Sequence, residues 1–251
     1  MRVLFIGDIV GDAGCDFVCS RLAGIVRQYG IDFVIANGEN VCSHNGITPD
    51  KADRLRYAGV DVITTGNHVF RQKQIYQLLS DSDYIIRPYN LPFSAIGSGY
   101  TVAHTPFGDV GVLNLMGQCF MDGAENPFDA ADRALTRLSD CEYIFVDFHA
   151  EATSEKIALG HYLDGRVNGV FGTHTHVRTA DARILPKGTA YITDAGMTGG
   201  VNSVLGVKKE LAIAKFRSAM PVSFEHDPEN TAMDIVITDT DKKEIISLSI
   251  K

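Results

Sequence analysis

Short β-branched and aromatic runs trade places with segments of helical spacing along the first two thirds of this chain. RVLFIG (2–7) is the first such run and stops at Gly7-Asp8. From 14 to 29 the apolar residues Phe17, Val18, Leu22, Ile25 and Val26 fall at helical intervals, which predicts a helix with one buried face. Ile31 to Ala36 predicts a second strand. Thr48-Pro49 reads as an N-cap followed by proline at the first helical position, and Gly59 as the C-cap of that helix. Val60 to Thr64 predicts a third strand and Gln72 to Leu79 a helix. Between 84 and 115 the texture changes to short β segments, YTVAH and DVGVLNLM. Residues 128–139 predict a helix, YIFVDF (143–148) a strand, 153–163 a helix and GVFG (169–172) a strand. The remainder reads as β: ARIL, TAYIT, LAIAKF, AMDIVIT and EIISLSI. Alternating strands and helices predict a largely parallel sheet, and the β-rich tail predicts a second, mixed sheet packed on it. No repeat, low-complexity tract or linker interrupts the chain, so one domain over 1–251 is expected.

Composition narrows the function classes. The 251 residues are 45% hydrophobic and 22% charged, ordinary for a soluble globular protein. A net charge of −8 does not suit tight binding to duplex DNA or to an anionic membrane. Five cysteines (15, 19, 42, 119, 141) form no CxxC pair, which suggests a reducing compartment. The N-terminal apolar run is short for a signal segment and contains Asp8. No stretch approaches the ~18 apolar residues of a membrane span. A cytoplasmic protein is expected.

The chemistry collects where strands end, the place where open α/β folds bind ligands. Asp8 follows the first strand, Glu39 and Asn40 the second, Asn67 and His68 the third. His149 follows YIFVDF, and His174 and His176 follow GVFG. Taken singly, each has an ordinary explanation as a cap or turn residue. Together they form a set of metal-donor groups with no Lys or Arg among them. In extended chain, residues two apart lie ~6.5–7 Å apart on one side, so His174 and His176 would bracket two ions ~3.5–4 Å apart. Glu39 has two carboxylate oxygens and can bridge such a pair, and Asn40 adds a neutral oxygen. Asp8 and Glu39 would leave about two positive charges uncancelled on two divalent ions, enough to hold a hydroxide and a phosphodiester oxygen. GDIVGDAG spaces its glycines as GxxxGxxG, which is not a dinucleotide fingerprint. His104, His161 and His226 fit no motif and are expected to be structural or exposed. Glu151 and Glu155 are expected at the solvated start of a helix.

Gly7-Asp8, Gly38-Glu39-Asn40, Gly66-Asn67-His68, His149 and Gly172-Thr173-His174-Thr175-His176 stand in the order of the calcineurin-like metallophosphoesterase motifs D-x-H, G-D, G-N-H, H and G-H-x-H. The chain departs from that pattern at Val10, where the first histidine is missing, and at Glu39, which replaces an aspartate. With TGNHVF and DAGMTGG (194–200), these departures resemble the YmdB-type subfamily over essentially the whole chain. The resemblance implies a four-layer α/β/β/α sandwich of two mixed sheets flanked by helices. It also implies a binuclear centre, Fe first with Mn or Zn as alternatives, and phosphodiesterase activity on 2′,3′-cyclic nucleotides. Carried over residue by residue, Asp8, Glu39, Asn40 and His176 would hold one ion. Glu39, Asn67, His149 and His174 would hold the other. His68 would face the substrate as proton donor while a hydroxide bridging the ions attacks phosphorus. Ser43, His44 and Asn45, and the Gly-containing loop at Thr198, Gly199 and Gly200, are candidate substrate contacts. The alternatives are a phosphomonoesterase, a phosphodiesterase for short RNA ends, or a metal-bound regulatory protein. The subfamily resemblance suggests a homo-oligomer.

Overall fold

The computed structural model describes residues 1–251. Two sheets stack face to face with helices on both outer sides. The first sheet contains β1 (Arg2–Ile6), β2 (Asp8–Ile9), β3 (Phe33–Asn37), β4 (Val62–Thr64), β11 (Met197–Gly200) and β12 (Thr231–Asp239), in the order β2-β11-β12-β1-β3-β4. β13 (Glu244–Ile250) pairs with β12. The second contains β5 (Tyr100–Thr105), β6 (Gly108–Met116), β7 (Tyr143–His149), β8 (Gly169–Thr173), β10 (Ala190–Ile192) and β9 (Arg183–Ile184), in that spatial order.

Strand periodicity sorts the side chains between layers. In β1, Leu4 and Ile6 face the helices α1 (Gly11–Tyr29), α2 (Pro49–Ala58) and α3 (Ile75–Asp81), while Val3 and Phe5 face the second sheet. β3 repeats the split with Val34 and Ala36 outward and Phe33 and Ile35 inward. On the second sheet, Ile144, Val146 and Phe148 meet α4 (Pro127–Arg137) and α5 (Thr153–Leu163), and Phe145 meets the first sheet. The expected four-layer α/β/β/α sandwich is the architecture found. Helix ends follow local chemistry: Pro127 stands behind an Asn126 cap that accepts the Phe128 and Asp129 N–H groups, and Gly30 and Gly59 close α1 and α2 at positive φ.

Two expectations are corrected. The tail splits between the sheets: β9 and β10 join the second, but the later strands do not. β11, β12 and β13 return to the first, and β1 takes β12 as an antiparallel neighbour opposite its parallel neighbour β3. LAIAKF is part of a helix, α6 (Lys209–Ser218), not a strand. Its alternation imitates a strand, but Ala, Leu, Lys and Glu are strong helix formers, and only Ala212 is buried, so no sheet face claims it.

Candidate metal centre

Near the carboxyl ends of β3, β4, β7 and β8 the inter-sheet layer turns polar. Asp147 on β7 is buried and accepts from Asn37 Nδ2 at 2.9 Å, Thr173 Oγ1 at 2.7 Å and the Thr64 hydroxyl. Burial raises its pKa to about 6, although His149 and these donors pull the other way. Thr173 spends its proton on Asp147, so its oxygen accepts from His149 Nδ1 at 2.9 Å. That fixes the neutral His149 with its Nε2 lone pair turned toward the strand ends.

The other two histidines are oriented in the same way. His174 Nε2 lies 3.0 Å from Glu151 Oε2, which leaves Nδ1 facing inward. His176 Nδ1 donates to the Leu205 carbonyl at 3.0 Å, which leaves Nε2 inward. All three imidazoles thus commit one nitrogen to an outer acceptor and present the other to one place.

His149 Nε2 lies 3.0 Å from each of Glu39 Oε1, Asn67 Oδ1 and His174 Nδ1. With His149 neutral these are four electron-pair donors with no proton to share, and Glu39 and His149 are buried. Such a set could hold a cation. Donors ~2.1 Å from one ion lie ~3.0 Å apart at octahedral edges and ~3.4 Å apart at tetrahedral ones, so the spacing fits a metal. Glu39, His149 and His174 bring ligand atoms within 4.8 Å of one another. Gly66 makes room for them: a Cβ there would collide with both Glu39 Oε2 and His149 Nε2.

Beside this group, Asp8 Oδ1 lies 3.6 Å from His176 Nε2. Asn40 Nδ2 is 3.2 Å from Asp8 Oδ1, 3.2 Å from His176 Nε2 and 3.3 Å from Glu39 Oε1. The Asn40 amide therefore points its NH₂ at the cluster, and its oxygen would face the same atoms after a half-turn of the amide. Asp8 Oδ2 accepts the His174 N–H at 3.0 Å, and Glu39 Oε2 accepts the His68 N–H at 3.0 Å. The sequence-predicted residues Asp8, Glu39, Asn40, Asn67, His149, His174 and His176 are thus brought into two adjoining groups that share Glu39.

The charges answer to one another. Burial pushes the Asp8 and Glu39 carboxyls up, but the imidazoles beside them hold both below the usual carboxylate range. Burial pushes His149 down, yet Glu39 and Asp8 raise it to about 9. Without a metal, a proton on His149 partly relieves the cluster. His174, desolvated and next to His149, falls to about 4. His176 rises because Asp8 outweighs its burial. His68 is lowered, chiefly by burial, with Glu39 opposing.

The turn carrying His174 and His176 is not extended, as the sequence spacing assumed. His174 has φ 97° and His176 φ 62°, so the chain coils back and both rings reach the cluster. Asp194 holds this turn, accepting from Thr175 N at 3.1 Å, Thr175 Oγ1 at 2.7 Å and Lys156 Nζ at 2.7 Å. Lys156 and Asp194 are both buried. The Asp of DAGMTGG therefore acts through backbone placement.

A cavity of about 600 Å³ opens above the cluster. Ser43, His44, Asn45 and His68 line it. Thr198, Gly199 and Gly200 do not, which corrects their expected place in a substrate loop. They form β11, buried between β2 and β12, where ladder hydrogen bonds occupy the backbone. Sequence reasoning missed Glu151, Arg71, Phe224 and His226, all on the cavity wall. Glu151 stands two residues beyond His149, a position that in sequence looks like a helix start. Phe224 and His226 carried no motif signal.

A two-sheet α/β/β/α sandwich with Asp, Glu, Asn and His at its strand ends defines the class: metallophosphoesterases. Within that class a family model described as YmdB-like protein matches residues 4–251. The chain belongs to the YmdB-like family. It is 44% identical over 242 residues to the 2′,3′-cyclic-nucleotide 2′-phosphodiesterase of Bacillus subtilis (strain 168), covering 96% of this chain and 92% of the relative. A crystal structure of a hypothetical protein from Thermus thermophilus superposes with a TM-score of 0.94 at 40% identity, over 99% of this chain and 98% of that one. A structure described as a novel phosphatase from Mycoplasma pneumoniae superposes at 0.91 with 35% identity, over 100% and 93%. No helix of the chain is long and apolar enough to cross a membrane.

Proposed function

We propose that this chain is a metal-dependent phosphodiesterase that hydrolyses 2′,3′-cyclic nucleotides at the 2′ ester bond. The observation that carries the reading is the convergence of Glu39, Asn67, His149 and His174 lone pairs at 3.0 Å spacing around His149 Nε2. The name of the Bacillus relative supports the substrate class. Asp8, Glu39, Asn40 and His176 would hold one ion and Glu39, Asn67, His149 and His174 the other, with Glu39 common to both sets. The oxygen-rich first set suits iron, and manganese or zinc are the alternatives. The chemistry a pair of transition ions supplies in such a site is Lewis-acid polarisation of a phosphoryl oxygen and a lowered water pKa. Thr173, Glu151 and the Leu205 carbonyl keep the three imidazoles aimed. His68, on the cavity wall beside Asn67, carries a proton to the leaving 2′ oxygen. Arg71 is a cation on that wall and draws the anionic diester inward.

The test is a substrate panel on metal-loaded protein: 2′,3′-cAMP, 3′,5′-cAMP, p-nitrophenyl phosphate and a generic diester. Cleavage of 2′,3′-cAMP to 3′-AMP is expected. Preference for the monoester would favour a phosphomonoesterase, the reading that the Mycoplasma description supports. No turnover on any of them would leave a metal-bound regulatory role.

A further inference from the structure

Phe224 is a phenyl ring without a core. It is 46% exposed, belongs to none of the three hydrophobic clusters, and faces the cavity over the metal-donor cluster. The segment that carries it is fixed by its backbone. Lys208 N donates to Glu225 O at 2.9 Å, Asp227 N donates to Gly206 O at 2.8 Å, and Val207 pairs with His226. This anchor is the turn whose Leu205 carbonyl orients His176. Ring and cluster are therefore held in one frame.

The ring also borders an adjoining recess of about 400 Å³ with Ser43, His44, Ser223 and His226. It thus stands as a lip between the cavity over the cluster and this recess. The recess carries Asp12 and Glu225, which disfavour a second phosphate there. A compound with one phosphate and one flat ring fits this layout. Its phosphate meets the donor cluster and its ring meets the phenyl face.

We propose that Phe224 is the base platform of the site, stacking the nucleobase of a mononucleotide whose phosphate sits at the cluster. This rests on the phosphodiesterase reading and adds that recognition includes the base. Base–aromatic stacking contributes enough that removing the ring weakens binding on the order of ten- to a hundredfold.

The experiment compares wild type, Phe224→Ala and Phe224→Tyr, all metal-loaded, on 2′,3′-cAMP and on glycerol 1,2-cyclic phosphate, a five-membered cyclic diester without a base. Calorimetric binding of 3′-AMP and of inorganic phosphate is measured in parallel. In Phe224→Ala, KM for 2′,3′-cAMP and Kd for 3′-AMP should rise at least about tenfold. Values for glycerol cyclic phosphate and inorganic phosphate should shift far less, and Phe224→Tyr should restore the nucleotide values. Equal losses for substrates with and without a base would overturn the proposal and make the ring a wall of the fold. Unchanged 3′-AMP affinity would overturn it too. If wild type hydrolyses neither cyclic phosphate, the phosphodiesterase reading fails, and the 3′-AMP titration still decides the role of Phe224.

Discussion

The two sheets bring different chemistry to one place. The first sheet supplies oxygen and amide groups: Asp8 on β2, Glu39 and Asn40 after β3, Asn67 after β4. The second supplies only imidazoles: His149 at the end of β7, His174 and His176 after β8. Behind the imidazoles stand acceptors, Asp147 through Thr173, Glu151 and the Leu205 carbonyl. Behind the carboxylates stand main-chain N–H groups, those of His68 and His174. The oxygen half brings the negative charge, and the nitrogen half brings directed lone pairs. Neither half makes the site alone, so its geometry depends on how the sheets pack.

Removing the member that both groups share breaks this comparison hardest. Glu39→Gln is expected to release both ions and abolish turnover, read by elemental analysis and 2′,3′-cAMP hydrolysis on one sample. Retention of both ions at full occupancy would contradict the shared role. His68→Ala removes no member of either half. It should cut kcat by ~10²–10⁴-fold with metal content intact; loss of metal would make His68 a ligand instead.

The support behind the nitrogen half is tested by Glu151→Ala. Glu151 is half exposed, so the fold should survive while metal affinity weakens ~10–100-fold, measured by competition with a chelator. An unchanged affinity would show that Glu151 does not orient His174. The smallest effect is in pH. His149 in the metal-free protein holds its proton up to about 9, against 6.5 as its ordinary value. That stabilisation is complete below 6.5 and is lost as pH rises through 9. Metal-free Tm should therefore fall across this window, whereas metal-loaded protein, whose Nε2 carries no proton, should not show that fall. Parallel Tm profiles for the two forms would contradict the account.

Much of the frame was legible because each donor follows an apolar run. Asp8, Glu39, Asn67, His149 and His174 all stand at strand ends that hydrophobic periodicity marks. What escaped depends on long-range pairing or local backbone. Nothing near β12 says that it returns from the far end of the chain to flank β1, since an amphipathic strand fits either sheet equally well. The reversal at His174 and His176 needs positive φ at two non-glycine residues, which spacing cannot reveal. Thr198-Gly199-Gly200 reads as a loop from its glycines, but Gly200 allows close packing: a Cβ there would meet the Asp227 carbonyl at 2.5 Å. Phe224 lies far along the chain from His176, and its segment is pinned beside the cavity by backbone pairing with residues 206–208.

The most direct measurement counts the ions. Purified protein, stripped and refilled with iron or manganese, should bind two per chain by elemental analysis, and Gly66→Ala, whose Cβ would intrude between Glu39 and His149, should bind fewer than two. A wild-type chain that holds no ion after refilling, or a Gly66→Ala chain that still holds two, would contradict a centre assembled between the sheets.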